Sequence, residues 1–129
     1  MDYIKKEMLE IYKPISNMDW MNYKLVKKEI TFHHIQKRVD NGKREIENGA
    51  LLMPVGHEYL HLIERYDIDR YILINKLFKS INRQRYEPTR SQRELMEYVL
   101  KEFENLHKGE KNKKGMLIIK RKYTERYFY

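Results

Sequence analysis

Thr31-Phe32-His33-His34-Ile35, then Asp40-Asn41-Gly42-Lys43, then Ile46-Glu47-Asn48-Gly49, then Gly56-His57-Glu58-Tyr59-Leu60-His61: these short stretches, in this order, decide how the chain folds. The β-prone run Ile30-Thr31-Phe32 makes Glu29 to Ile35 an extended segment. Asp40-Asn41-Gly42 signals a turn, because Asn and Gly tolerate positive φ. Ile46 to Met53 is then expected to return as a second strand, closed by Pro54 and Gly56. From about His57 the apolar spacing becomes helical through Leu60, Ile63 and Tyr66. A hairpin followed by a helix is therefore the expected centre of the fold.

Four of the five histidines lie between residues 33 and 61. Imidazole is the commonest protein ligand for transition metals, and it titrates near neutrality. His57 and His61 stand four apart on the expected helix, on one face and within reach of a single ion. Neighbouring residues on a strand point to opposite faces, so at most one of His33 and His34 shares that ion easily. The other is free for proton transfer, and spacing alone leaves open which is which.

These stretches resemble the HNH endonuclease motif of the ββα-metal class, in particular the small bacterial and phage HNH proteins with a Phe-His-His-Ile opening and a His-x-x-x-His close. Colicin-type DNases share the histidine pattern. The likeness covers residues 31 to about 64. It implies an α+β fold in which a ββα-metal hairpin-plus-helix core, at about 29–66, is surrounded by further α-helices and a short C-terminal β segment. It gives His33, His57 and His61 the places of metal ligands, His34 the place of general base, and Asn48 the place of the central asparagine that braces the hairpin and orients the base. It also implies one divalent metal ion, with magnesium or manganese supporting turnover in many relatives; by ligand softness, zinc, nickel and cobalt suit imidazoles as well. The cysteine pairs that bind a structural zinc in many relatives are missing here, so packing must hold the hairpin.

Working outward, Ile4, Met8 and Ile11 mark an amphipathic helix over Tyr3 to Tyr12, stopped by Pro14. Tyr71, Ile74, Leu77, Phe78 and Ile81 mark another from about Asp69 to Asn82. Ser91 with Glu94 reads as a capping box opening a third helix, carrying Leu95, Val99, Leu100, Phe103 and Leu106. Met116 to Tyr123 looks like a strand emerging from a lysine-rich linker. One domain of 129 residues is expected, with a helical part at about 67–107 and a basic segment at 108–129.

The net charge is +8, and residues 108–129 hold eight Lys/Arg against two Glu. Such a basic end suits polyanions, chiefly nucleic acid, or stands as a solvated tail. Lys37, Arg38, Lys43 and Arg44 flank the turn as candidate DNA-phosphate contacts. Helix-ending His107 is assigned no site role. Cysteine is absent and no apolar run approaches the roughly 20 residues of a membrane span. The N-terminus lacks a secretory apolar region, so the expectation is a cytoplasmic protein without a membrane partner. The expected function is a metal-dependent endonuclease that nicks or cuts DNA. The alternative is a catalytically silent HNH-like scaffold that binds nucleic acid or another protein, as a regulator or inhibitor in phage–host conflict.

Overall fold

Asp2 caps the first helix, α1 (Tyr3–Tyr12), by accepting from the Lys5 N–H at 3.1 Å. Lys13 ends it in the left-handed region at φ 43°, just before Pro14. The computed structural model describes residues 2–128. Its order is α1, β1 (Thr31–His34), β2 (Gly49–Leu52), α2 (Pro54–Tyr66), α3 (Ile68–Gln84) and α4 (Arg90–His107). It is an α+β fold with four helices and one two-stranded antiparallel sheet among the described residues. None of those helices is long and apolar enough to cross a membrane.

The strands pair Thr31 with Leu52, Phe32 with Leu51, His33 with Ala50 and His34 with Gly49. Fourteen residues connect them, turning through Asn41 at φ 68°. Gly42 follows, where a Cβ would lie 1.7 Å from the Gln36 carbonyl oxygen, so no other residue fits. The return strand is shorter than expected: Ile46–Asn48 is a 3₁₀ turn and pairing starts only at Gly49. The Asn48 side chain explains this, because it is spent holding the connection together.

Helix α2 begins at Pro54, three residues before His57, since proline favours the first helical position. Its start is set by the buried carboxylate of Asp19. That group accepts from the N–H groups of Met21 (2.8 Å), Tyr23 (2.9 Å) and Met53 (2.7 Å). Burial pushes its pKa up to about 6 against the pull of those bonds.

Helix α3 buries the expected stripe of Tyr71, Ile74, Leu77, Phe78 and Ile81. For α4 the expected cap is corrected. Thr89, not Ser91, caps it by accepting from Gln92 N–H at 3.2 Å, while the Gln92 side chain accepts from Thr89 N–H at 2.8 Å. Glu94 instead faces Arg90 at 3.1 Å. The buried stripe is Met96, Val99, Leu100 and Phe103, at i, i+3, i+4 and i+7, so Leu95 and Leu106 fall off it and are exposed.

The expected C-terminal strand does not form among the described residues. Lys111 and Leu117 make one isolated bridge, and Arg121–Tyr123 is a 3₁₀ turn. Apolar Ile118 and Ile119 are used for packing rather than pairing. Nor is the segment a loose tail. Tyr123 is buried, stacks on Tyr59 with centroids 5.0 Å apart, and its carbonyl accepts from the Tyr23 hydroxyl at 2.6 Å. The Arg126 side chain is buried between Glu97 (3.0 Å) and Glu104 (2.9 Å).

One hydrophobic cluster runs through all these elements, from Met8 and Tyr12 of α1 to Phe103 of α4 and Tyr123. Each such large side chain adds roughly 1.5–3 kcal/mol when fully buried. This core fixes the sheet against α2 and α3, and the histidines sit at that junction.

Candidate functional site

His33 points inward from β1 and is 3% exposed. Its Nε2 lies 2.8 Å from Oδ1 of Asn75 on α3. A carbonyl oxygen only accepts, so Nε2 carries the proton and Nδ1 keeps its lone pair. Burial pushes the pKa down to about 3, despite the Asn75 bond, and the ring is neutral.

His57 obeys the same logic. Its Nδ1 lies 2.8 Å from the Thr31 hydroxyl, and that hydroxyl donates its single proton to the Leu52 carbonyl at 2.7 Å. Thr31 therefore accepts from His57 Nδ1–H, which leaves the lone pair on Nε2. Burial, with smaller contributions from His61 and His34, holds this pKa at about 4.

The His33 and His57 rings meet edge to face with centroids 5.4 Å apart. His61 stacks on His57 at 4.9 Å and 22°, with its Nδ1 3.6 Å from Glu64 Oε1. Burial, then Lys37 and Arg65, lowers the His61 pKa. The three expected ligands are thus neighbours in one row. Stacked rings do not aim their lone pairs at one point, and among the described residues no three His, Cys, Asp or Glu side chains form a group ready to hold an ion.

His34 lies edge-on to Phe32 at 4.9 Å. Its Nε2 is shielded from solvent and has no hydrogen-bond partner. Burial, helped by Arg38 and Arg44, lowers its pKa and favours the neutral ring. All four imidazoles line one cavity of about 370 Å³, together with Lys37, Arg38, Glu64 and Tyr71. A depression of about 410 Å³ elsewhere, beside Tyr86 and Tyr127, borders the already paired Glu87 and Arg93.

Asn48 does not line the histidine cavity. Its Oδ1 accepts from Gln36 N–H at 2.7 Å, and its Nδ2 donates to the Gln36 and Lys43 carbonyls at 2.9 Å each. The residue is a brace for the chain leaving β1, two positions beyond His34, and has no amide group left for substrate.

The four expected phosphate contacts separate. Lys37 pairs with Glu64 and sits 5.7 Å above the Tyr71 ring. Arg38 lines the cavity. Arg44 is held at 2.5 Å by Asp2 and lies over Phe32 at 5.1 Å. Lys43 borders a different depression, with Asn48 and Lys79. His107 stands apart from the cavity, joining Asp67 (3.0 Å) and Glu110 (2.7 Å).

Sequence reading missed Thr31, Glu64, Tyr71 and Asn75. Two signals were present. Thr31 shares a strand face with His33, and Asn75 is a polar residue four beyond Tyr71, beside the apolar stripe of α3. No family model, no curated protein and no solved structure matches this chain.

Proposed function

We propose that the protein is a metal-dependent endonuclease that hydrolyses DNA phosphodiester bonds, with β1, β2 and α2 acting as a ββα-metal unit of the HNH type. The observation that carries this reading is the fixed pair of tautomers. Thr31 and Asn75 each accept a hydrogen bond from one ring N–H, and leave the lone pairs of His57 Nε2 and His33 Nδ1 as neutral donors beside one cavity. Outer partners that fix a ligand's tautomer are the usual companions of a metal-binding histidine. By donor chemistry, His33, His57 and His61 are the residues that would hold a divalent ion. Once bound, the ion supplies positive charge to the phosphate and to the departing 3′ oxygen.

The remaining chemistry belongs to the chain. Neutral His34, whose unpartnered Nε2 is shielded against its neighbours at rest, takes the proton of the attacking water once its ring turns from Phe32 into the cavity it lines. The oxygen of that water bonds to phosphorus as the P–O3′ bond breaks, and the departing 3′ oxygen takes a proton from solvent water, giving a 5′-phosphate and a 3′-hydroxyl. Asn48 keeps the strand end of His34 in place through the connecting loop. Arg38, at the cavity wall, meets the phosphate charge. The backbone of His57 is not an anion site, because its N–H already bonds the Met53 carbonyl at 2.9 Å.

Supercoiled plasmid incubated with the protein and Mn²⁺ or Mg²⁺ tests the proposal. Nicking is expected, with a loss of about 10²–10⁴-fold in His34→Ala, the range for a general base. Nicking that survives both EDTA and His34→Ala overturns it. DNA binding without nicking under every metal would favour a silent binding scaffold instead.

A further inference from the structure

The docked C-terminal segment lays Lys120, Arg121 and Lys122 along α2. Lys122 Nζ lies 3.3 Å from Glu58 Oε1, and the Tyr123 hydroxyl donates to the same oxygen at 2.6 Å. Lys120 and Arg121 precede this anchor directly in the chain and are both exposed. Glu58 directly follows His57 in the chain.

The helix geometry turns this into a layout. An α-helix advances about 100° per residue, so with His57 at zero, His61 falls about 40° round the axis, Glu64 about −20° and Glu58 about 100°. Glu64 is the carboxylate that Lys37 reaches from the hairpin loop. The two helical histidines therefore lie between two lysine–carboxylate pairs, Lys37–Glu64 on one flank and Lys122–Glu58 on the other. Each flank carries further cations: Arg38 next to Lys37 at the cavity wall, and Lys120 and Arg121 next to Lys122 in the chain. The Arg121 side chain is 92% exposed, and its contact with Glu125 at 3.3 Å is a surface pair of little strength.

We propose that Lys120, Arg121 and Lys122 form a second phosphate-contact surface, which works with Lys37 and Arg38 to hold one nucleic-acid backbone across α2 with the histidines between them. Part of the reason for a basic C-terminal end is then local: Tyr123 and Arg126 anchor it, and Lys122 is held against α2 at Glu58, the residue after His57. The inference rests on the nuclease reading for what happens between the flanks. Its own claim is polyanion contact by named residues.

The test measures binding of the full chain to a labelled DNA duplex across a salt series in EDTA, where no cleavage occurs. Lys120→Ala/Arg121→Ala removes two exposed charges and leaves the Lys122–Glu58 anchor intact. Lys101→Ala, on the exposed side of α4, controls for loss of charge alone. Each lost phosphate contact lowers the slope of log affinity against log salt by about 0.9, so a drop of about 2 is expected for the double variant and none for the control. A wild-type slope in the double variant, or an equal loss per charge in the control, overturns the inference. So does weakened binding to vesicles of anionic lipid with DNA affinity unchanged. Plasmid nicking by the wild-type chain, measured alongside, separates the two claims. Nicking with an unchanged slope sinks only the contact surface. A reduced slope without nicking under any metal sinks only the nuclease reading and leaves the surface standing.

Discussion

Asn75 lies 42 positions from His33 in the chain, yet it decides which nitrogen of that ring is free. Replacing Asn75 by Leu removes the acceptor at 2.8 Å and releases the tautomer. Calorimetric titration with Zn²⁺ or Ni²⁺ should then show affinity reduced by about 10–100-fold, the usual effect of losing such a partner. Asn75→Asp, which keeps an acceptor, should stay near wild type; undiminished binding by Asn75→Leu would contradict the account. The same burial sets a pH dependence in the metal-free protein. His33 and His57 hold pKa values of about 3 and 4 against an ordinary 6.5, so the unfolded chain takes up protons that the folded chain refuses. Their contribution to stability is whole above about pH 6.5 and is lost as pH falls towards 4 and 3. Each pKa unit corresponds to about 1.4 kcal/mol. Asp19, raised to about 6, works in the opposite sense and gains stability for the fold as pH falls from 6 towards 4. Two imidazoles outweigh this one carboxyl. Urea midpoints in EDTA should therefore fall steadily from pH 7 to pH 4, and a flat profile would show that the rings are protonated in the folded state.

Among the elements, those with a clear period were legible. The helical spacing of Ile4, Met8 and Ile11, the stripe of α3 and the Asp40-Asn41-Gly42 turn all lie where their pattern puts them. Capping was not legible, because Thr89/Gln92 and Ser91/Glu94 both satisfy the three-residue spacing. Only the packing of Met96, Val99 and Phe103 chooses between them. Met116 to Ile119 is apolar enough for a strand, but a strand needs a partner edge, and the neighbouring chain offers a single bridge. For the candidate site, residue type and spacing disclosed the histidines, while their oxygen partners arise from tertiary contacts that no local pattern encodes. Asp19 belongs to the same hidden class: it lies in an irregular loop and sets where α2 begins. Asp19→Ala leaves three buried N–H groups unpaired, at about 1–3 kcal/mol each. Thermal unfolding should show a loss on the order of 3 kcal/mol or more, together with weaker metal binding because α2 carries His57 and His61. A loss well below 1 kcal/mol would mean that the loop does not hold the helix.

At the scale of the whole molecule, the sheet and α2 contribute the histidines and α3 supplies the ring partner of His33, while the C-terminal segment clamps the outer side of α2. A single core joins these parts, so the alignment of the four imidazoles depends on the complete fold rather than on the hairpin and helix alone. The central claim is that His33, His57 and His61 serve one cation with His34 free beside it. Anomalous diffraction from crystals of the intact chain grown with Zn²⁺ or Mn²⁺ tests this most directly. The account predicts one strong peak at about 2.0–2.3 Å from His33 Nδ1, His57 Nε2 and a ring nitrogen of His61, with His34 uncoordinated. A peak bound by His34 in place of His33, or metal found only at other surface sites, would contradict it.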